Sequence, residues 1–291
     1  MIPTELLRRI RRIEIRTSRL ANDLFAGTYH SVFHGRGMEF SEVREYYPGD
    51  DIRAIDWNVT ARAGKPHIKK YVEERELTVI LVIDASASLR FGSAKQDKSE
   101  QAAEIAAIIA FSAIRNNDKV GLVMFTDQVE KFIPPRKGRR QVLRLIREVL
   151  YFEPSRRQTR IGTALEYVSR VQKRRAVIFV ISDFADIGFE TPMRTAAKRH
   201  DLIAVRVADP READVPSVGL VELADAETGR TRLMDLSHPA TRVGFTYTTR
   251  SREEQLKRLF QHAGASVINI STAESPIDPL SAFFEKRRRM R

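Results

Sequence analysis

The 291-residue chain contains no cysteine. Disulfides, zinc–thiolate centres and thiol nucleophiles are therefore excluded, and the absence leans toward the cytoplasm. Long apolar runs are missing too. No stretch approaches the roughly 18 residues needed to cross a bilayer. The opening MIPTELLRRIRRIEIR has no apolar block between its charges and a cleavage site, so it does not read as a secretory signal. Catalytic signatures are absent as well: no G-x-x-x-x-G-K-[ST] phosphate loop, no G-x-S-x-G elbow and no H-E-x-x-H helix. Any ATP hydrolysis would belong to a partner. His30 and His34 are spaced for one helix face, but neighbouring glycines oppose a helix and no third ligand stands near, so all six histidines read as non-ligands. The single tryptophan, Trp57, is expected in the core of an N-terminal lobe.

Acidic charge is in deficit. Fifty Lys and Arg against 38 Asp and Glu give a net charge of +12. Such a balance favours an anionic partner: nucleic acid, acidic lipid or an acidic protein face. Basic residues crowd Arg8–Arg16, Arg136–Arg140 and Lys286–Arg291. Charged helix faces and tails are more often simply solvated. No recognised nucleic-acid-binding motif or aromatic–basic interleaving accompanies them. Binding of nucleic acid or another polyanion stands as the alternative function, and it would weaken steeply with salt.

What is present begins with Leu77–Ser88, LTVILVIDASAS. A short, β-branched apolar run reads as a strand buried on both faces, as in a parallel sheet. Similar runs recur at 119–126, 176–181, 202–207 and 266–270. Helical spacing is found at 97–116, 138–150, 161–172, 189–199, 251–263 and 277–287. Residues 130–133 read as a hairpin partner of 119–126. The alternation predicts an α/β fold with a doubly wound, mainly parallel sheet and helices on both faces. Two short strands at 219–223 and 230–235 flank a Glu227–Arg230 turn, an inserted β-hairpin within about 210–236. Residues 1–75 read as an N-terminal extension: a helix over 4–24, loop over 25–50, a short helix or turn at 51–62 and a strand at 66–74. The main domain runs over 76–275, and a C-terminal helix with a basic tail over 276–291.

Open parallel sheets place ligands at the carboxyl ends of their strands. Three points along this chain put hard oxygen groups there: Asp84-x-Ser86-x-Ser88, Thr159 just before a helix, and Asp183 after strand 176–181. Alone, a strand-end Asp is often a helix cap. Together, two carboxylates and three hydroxyls suit a hard divalent cation such as Mg²⁺, or Mn²⁺ in its place.

In this order the residues resemble the metal-ion-dependent adhesion site of von Willebrand factor A domains. The resemblance implies that Asp84, Ser86, Ser88, Thr159 and Asp183 bind the metal directly or through water. Ile161 stands where many such domains have a second Thr that is usually not a ligand. A likeness over nearly the whole chain is carried by Gly35–Phe40, Arg44–Asp51, Arg53-x-x-Asp56-Trp57, Ser182–Phe184 and Asp209–Glu212. These resemble the bacterial family catalogued as domain of unknown function 58. Its members join an A-type domain to this N-terminal block and are generally encoded beside MoxR-type AAA+ ATPases.

The resemblance implies a cytoplasmic, metal-dependent protein–protein interaction adaptor. Its partner would be a MoxR-type AAA+ ATPase, or that ATPase's client, offering an acidic residue to the metal. Phosphotransferases of the haloacid dehalogenase type also place an Asp after the first strand, with a second Asp two residues on. Here that position is Ser86, which cannot transfer protons at neutral pH, so the chain is expected not to be an enzyme. Gly35–Gly37 with the Arg44–Asp51 block could form a second interaction surface, but Arg44, Asp50, Asp51, Arg53 and Asp56 read rather as a charge network fixing the N-terminal lobe on the sheet.

Overall fold

The apolar run that ends at Asp84 becomes a central strand of a six-stranded sheet in the computed structural model, which describes residues 39–72, 76–93 and 96–290. The expected helix over 4–24, the Arg8–Arg16 cluster and the His30/His34 pair lie outside the described residues. The chain divides into two units, with a boundary between Glu76 and Leu77.

In the smaller unit, β1 (Glu39–Glu45) and β2 (His67–Val72) pair antiparallel, with α1 (Trp57–Ala63) between them in the chain. Carboxylates organise its turns. Arg44 grips Asp50 through two hydrogen bonds of 2.8 and 2.7 Å, which hold the Asp50 carboxyl below its ordinary range. Asp51 accepts the Arg53 N–H at 2.9 Å and opens a single 3-10 turn, Ile52–Ala54. Asp56 caps α1 by accepting from the Asn58 and Val59 amides.

Two expectations are corrected here. Residues 39–45 form a strand where loop was expected. A register shift between Phe40 and Glu42 breaks the two-residue alternation by which strands are recognised. Trp57 is 69% exposed rather than core. A two-stranded sheet with a two-turn helix is too thin to enclose an indole.

The larger unit runs β3 (Thr78–Asp84), α2 (Lys98–Arg115), β4 (Lys119–Phe125), β5 (Val129–Arg136), α3 (Arg139–Tyr151), α4 (Ile161–Val171), β6 (Val177–Ser182), α5 (Glu190–Arg199), β7 (Asp201–Ala208), β8 (Leu220–Ala224), β9 (Thr231–Asp235), α6 (Pro239–Ala263), β10 (Ser266–Ser271) and α7 (Ile277–Arg289). The sheet order is β10-β7-β6-β3-β4-β5. All neighbours are parallel except β4 and β5. Val79, Leu81 and Ile83 point to the face covered by α2, α3 and α7, while Ile80 and Val82 point to the face covered by α4, α5 and α6. Burial on both sides is why these strands show no polar alternation. From β3 the chain builds first toward β4 and then returns to β6 on the other side. The order therefore reverses at β3, and the crevice opens at the carboxyl ends of β3 and β6.

α6 begins at Pro239, twelve residues before the expected start. Proline is pre-set for a first helical turn, but the added segment has little apolar periodicity: Val243 and Tyr247 are exposed. It is held instead by the Thr246 and Thr249 hydroxyls, which donate to the Ala213 and Glu212 carbonyls at 3.0 and 2.9 Å. The basic run Lys286–Arg289 is the last turn of α7, where cations complement the helix dipole. Leu280 and Phe284 seat that helix in the core, and Arg287 pairs with Asp201. The β8–β9 hairpin is largely exposed and is anchored at its base by buried Leu236, whose N–H donates to Gly219 O at 2.8 Å.

Gly121 of β4 lies directly against Pro135 of β5. A Cβ there would meet Pro135 Cγ at 2.9 Å, Pro135 N at 3.0 Å and Ile133 O at 3.1 Å. Gly121→Ala is expected to cost about 1–3 kcal/mol, measured as a lower urea midpoint at unchanged slope. A wild-type midpoint would show that this edge of the sheet separates freely.

Candidate functional site

The site starts where β3 ends. Asp84 is 2% exposed. Its Oδ1 accepts the Ser86 N–H at 2.9 Å, and its Oδ2 accepts the Ser182 hydroxyl at 2.6 Å from the end of β6. The chain then turns sharply. Ala85 N–H donates to Phe125 O at 2.8 Å, and Ala87 N–H donates to Arg157 O at 2.9 Å. These bonds tie the Asp-x-Ser-x-Ser loop to the end of β4 and to the segment that leads into Thr159. The Ser86 and Ser88 hydroxyls are 3.0 Å apart.

On the β6 side, Ser182 Oγ also accepts the Phe184 N–H at 3.0 Å, so its own proton is directed to Asp84. Phe184 takes a left-handed φ of 56°, which is costly for a bulky residue. Its fully buried ring packs against Phe189 and Phe260, with centroids at 5.9 and 5.0 Å, and this packing holds the kink beside Asp183.

Burial pushes the Asp84 carboxyl up to about 7, and the charge of Asp183 adds to the effect; the bonds from Ser182 and Ser86 offset it in part. Asp183 has a cation of its own. Lys98 Nζ lies 2.8 Å from Asp183 Oδ2 and 2.6 Å from Glu212 Oε1, with the lysine side chain 1% exposed. Burial pulls the ammonium pKa down, yet the two carboxylates outweigh it and the net shift is upward. Lys98 opens α2, directly after the capping Asp97. A cation there opposes the helix dipole, and that misfit is the one sign of its role in the sequence. Lys98, Glu212 and Ser182 were not assigned to the site by sequence reasoning. With Asp84 ionised, three carboxylates against one ammonium leave the cluster at −2.

Thr159 is 7% exposed. Its hydroxyl donates to Glu227 Oε1 at 2.6 Å, and its N–H donates to Glu227 Oε2 at 3.3 Å. Glu227 was read only as a turn residue of the inserted hairpin. The next helix, α4, has its Ile161 N–H taken by Asp186 Oδ2 at 2.8 Å, while the Ile161 side chain is core. The structure thus gathers Asp84, Ser86, Ser88 and Asp183 at the joined ends of β3 and β6. Thr159 sits on the neighbouring segment with its proton committed to Glu227.

Among the described residues, no group of three or more His, Asp or Glu could hold a metal. A cation here would therefore rely on hydroxyls beside Asp84 and Asp183. These hard, mostly neutral oxygens beside two carboxylates are of the kind that suits Mg²⁺ or Mn²⁺. His200 is buried with neither ring nitrogen bonded, and burial lowers its pKa.

A mainly parallel sheet that reverses at β3, with oxygen-bearing loops at that point, defines the class as a doubly wound α/β protein. The chain belongs to the family described as Protein of unknown function DUF58, which it matches over residues 42–255. It is 31% identical over 283 residues to uncharacterized protein Rv1480 of Mycobacterium tuberculosis, covering 96% of this chain and 89% of that protein. To uncharacterized protein YeaD of Bacillus subtilis it is 28% identical over 109 residues, 38% of this chain and 25% of that protein. Among solved structures, conserved hypothetical protein BatB from Bacteroides thetaiotaomicron shares the fold. The TM-score is 0.50 at 19% identity, over 73% of this chain and 99% of that one.

Two stability measurements follow from the charge cluster. The folded pKa of Asp84, about 7, exceeds its unfolded value near 3.9, so the metal-free protein loses stability as pH rises between the two. In EDTA, Asp84→Asn should gain on the wild type progressively from about pH 4 to pH 7 and hold that gain above it. The difference should reach on the order of 4 kcal/mol at most; a gap independent of pH would contradict the buried, charged Asp84. Lys98→Met, which leaves Asp183 and Glu212 without their cation, should lower stability by about 3–5 kcal/mol in thermal unfolding. An unchanged melting temperature would mean that this ion pair is not formed.

Proposed function

We propose that this protein is a metal-dependent docking adaptor. It would bind Mg²⁺, or Mn²⁺, through Asp84, Ser86, Ser88, Thr159 and Asp183, and present the ion to an acidic residue of a partner protein. The observation that carries this reading is the buried Asp84 carboxylate beside Asp183, held by Ser182 and the Ser86 amide at the reversal point of the sheet. Two nearby carboxylates in a buried site repel, and a divalent ion removes that penalty. Membership in a family with an A-like fold supports a protein-interaction role at the coarser level.

When bound, the ion would supply a Lewis-acidic position for an outside carboxylate. The chain's own residues do the rest. Asp84 and Asp183 supply charge, and Ser86, Ser88 and Thr159 supply neutral oxygens that leave the ion net positive. Lys98 holds Asp183 in place from behind. The partner we propose is a MoxR-type AAA+ ATPase or its client, the association that this family's gene arrangement implies. Ser86 provides no second acid or base beside Asp84, so we read the site as one that binds rather than catalyses. Among the described residues, no helix is long and apolar enough to cross a membrane; we place the adaptor in the cytoplasm.

Calorimetric titration of metal-stripped protein tests this reading. Mg²⁺ and Mn²⁺ should bind one-to-one, and Asp84→Ala should weaken binding at least about 30-fold, roughly the 2 kcal/mol of one charged ligand. Capture of the partner ATPase should then fail in EDTA. An unaffected Asp84→Ala variant overturns the assignment. Retention on DNA that is sensitive to salt and indifferent to EDTA would instead favour polyanion binding through the basic surface.

A further inference from the structure

Glu227 brings a carboxylate to the site from within the chain, and the hairpin around it is built to present that group. Asp225 Oδ1 accepts the Glu227 N–H at 3.1 Å, the Thr228 N–H at 2.7 Å and the Thr228 hydroxyl at 2.8 Å. Gly229 closes the turn with a φ of 68° and donates its N–H to Asp225 O at 2.8 Å. The tip is thereby fixed, although the strands behind it are largely exposed and add little to the core. Both Glu227 oxygens face Thr159, one on its hydroxyl and one on its amide.

Resting on the docking function proposed above, we infer that Glu227 is a built-in acidic occupant of the docking face. It takes the place beside Thr159 that a partner's acidic side chain requires. The chemistry is that of the outside ligand, a carboxylate accepting from Thr159 next to a cation site. Hairpin and partner are therefore alternatives. An incoming carboxylate binds only the fraction of molecules in which Glu227 has withdrawn, and its apparent affinity falls by that fraction. The hairpin so selects for partners that offer more than one carboxylate's worth of contact, and it keeps the loaded site from capturing small acids.

The test uses full-length protein loaded with Mn²⁺, with acetate as the carboxylate probe and water-proton relaxation as the readout. Glu227→Ala, and Glu227→Gln as the isosteric variant, should let acetate displace coordinated water at concentrations at least about tenfold lower than in wild type. Before acetate is added, relaxivity in Glu227→Ala should rise roughly 1.3- to 1.5-fold, as expected if one more water reaches an octahedral ion. Tight Mn²⁺ binding with the same acetate response in all three proteins overturns the inference and leaves the docking function standing. Absence of Mn²⁺ binding in wild type and variants alike overturns both.

Discussion

Two carboxylates at the adjoining ends of β3 and β6 cannot both be charged inside a protein unless cations are at hand, and much of the larger unit serves this requirement. The first answer is internal. α2 delivers the Lys98 ammonium to Asp183, and the turn after β7 delivers Glu212 to the far side of that ammonium. Glu212 is itself positioned by Asp209, which caps the 210–212 turn and accepts from Ser93 and Thr272. Loops following β3, β7 and β10 are thus bound into one network around a single buried lysine. Removing the lysine leaves the largely buried Asp183 carboxylate without its cation.

That internal answer is incomplete. Lys98 balances one of three carboxylates, and the strain that remains is concentrated on Asp84, whose bonds from Ser182 and Ser86 only partly counter its burial. Negative charge, neutral hydroxyls and an opening at the reversal of the sheet are the features on which the proposal of a small divalent ion rests. The hairpin insertion extends the same logic outward. Its tip brings the Glu227 carboxylate onto the Thr159 hydroxyl and amide, the contact from which a built-in acidic occupant is inferred.

The parallel sheet was largely legible in the sequence because strands buried on both faces must be apolar throughout. Val79–Ile83 and Val177–Ile181 have few other ways to fold. That Asp84-x-Ser86-x-Ser88 and Asp183 lie at one edge was legible for a related reason: polar residues that directly follow such strands have to lie there, whereas Thr159, between two helices, follows no such strand. Elements with weak apolar demand were not legible. The first half of α6 has exposed Val243 and Tyr247, and β1 hides its alternation behind a shift of register. Trp57 misled because a large apolar side chain is normally a core residue, and here the unit that carries it has no interior of that size.

By itself the sequence determined the α/β class, the apolar strands and the residue types at the strand ends, since these follow from local periodicity and from hydrophobic burial. Only the tertiary structure decided which charges meet. Lys98 and Glu212 are 114 residues apart, and Thr159 and Glu227 are 68 apart. Neither separation leaves a local signal, because pairing at that range depends on how strands are ordered in the sheet and where an insertion folds back. Coulomb energy acts through space, so the partners that set the chemistry of Asp84, Asp183 and Thr159 become visible only when the sheet is assembled.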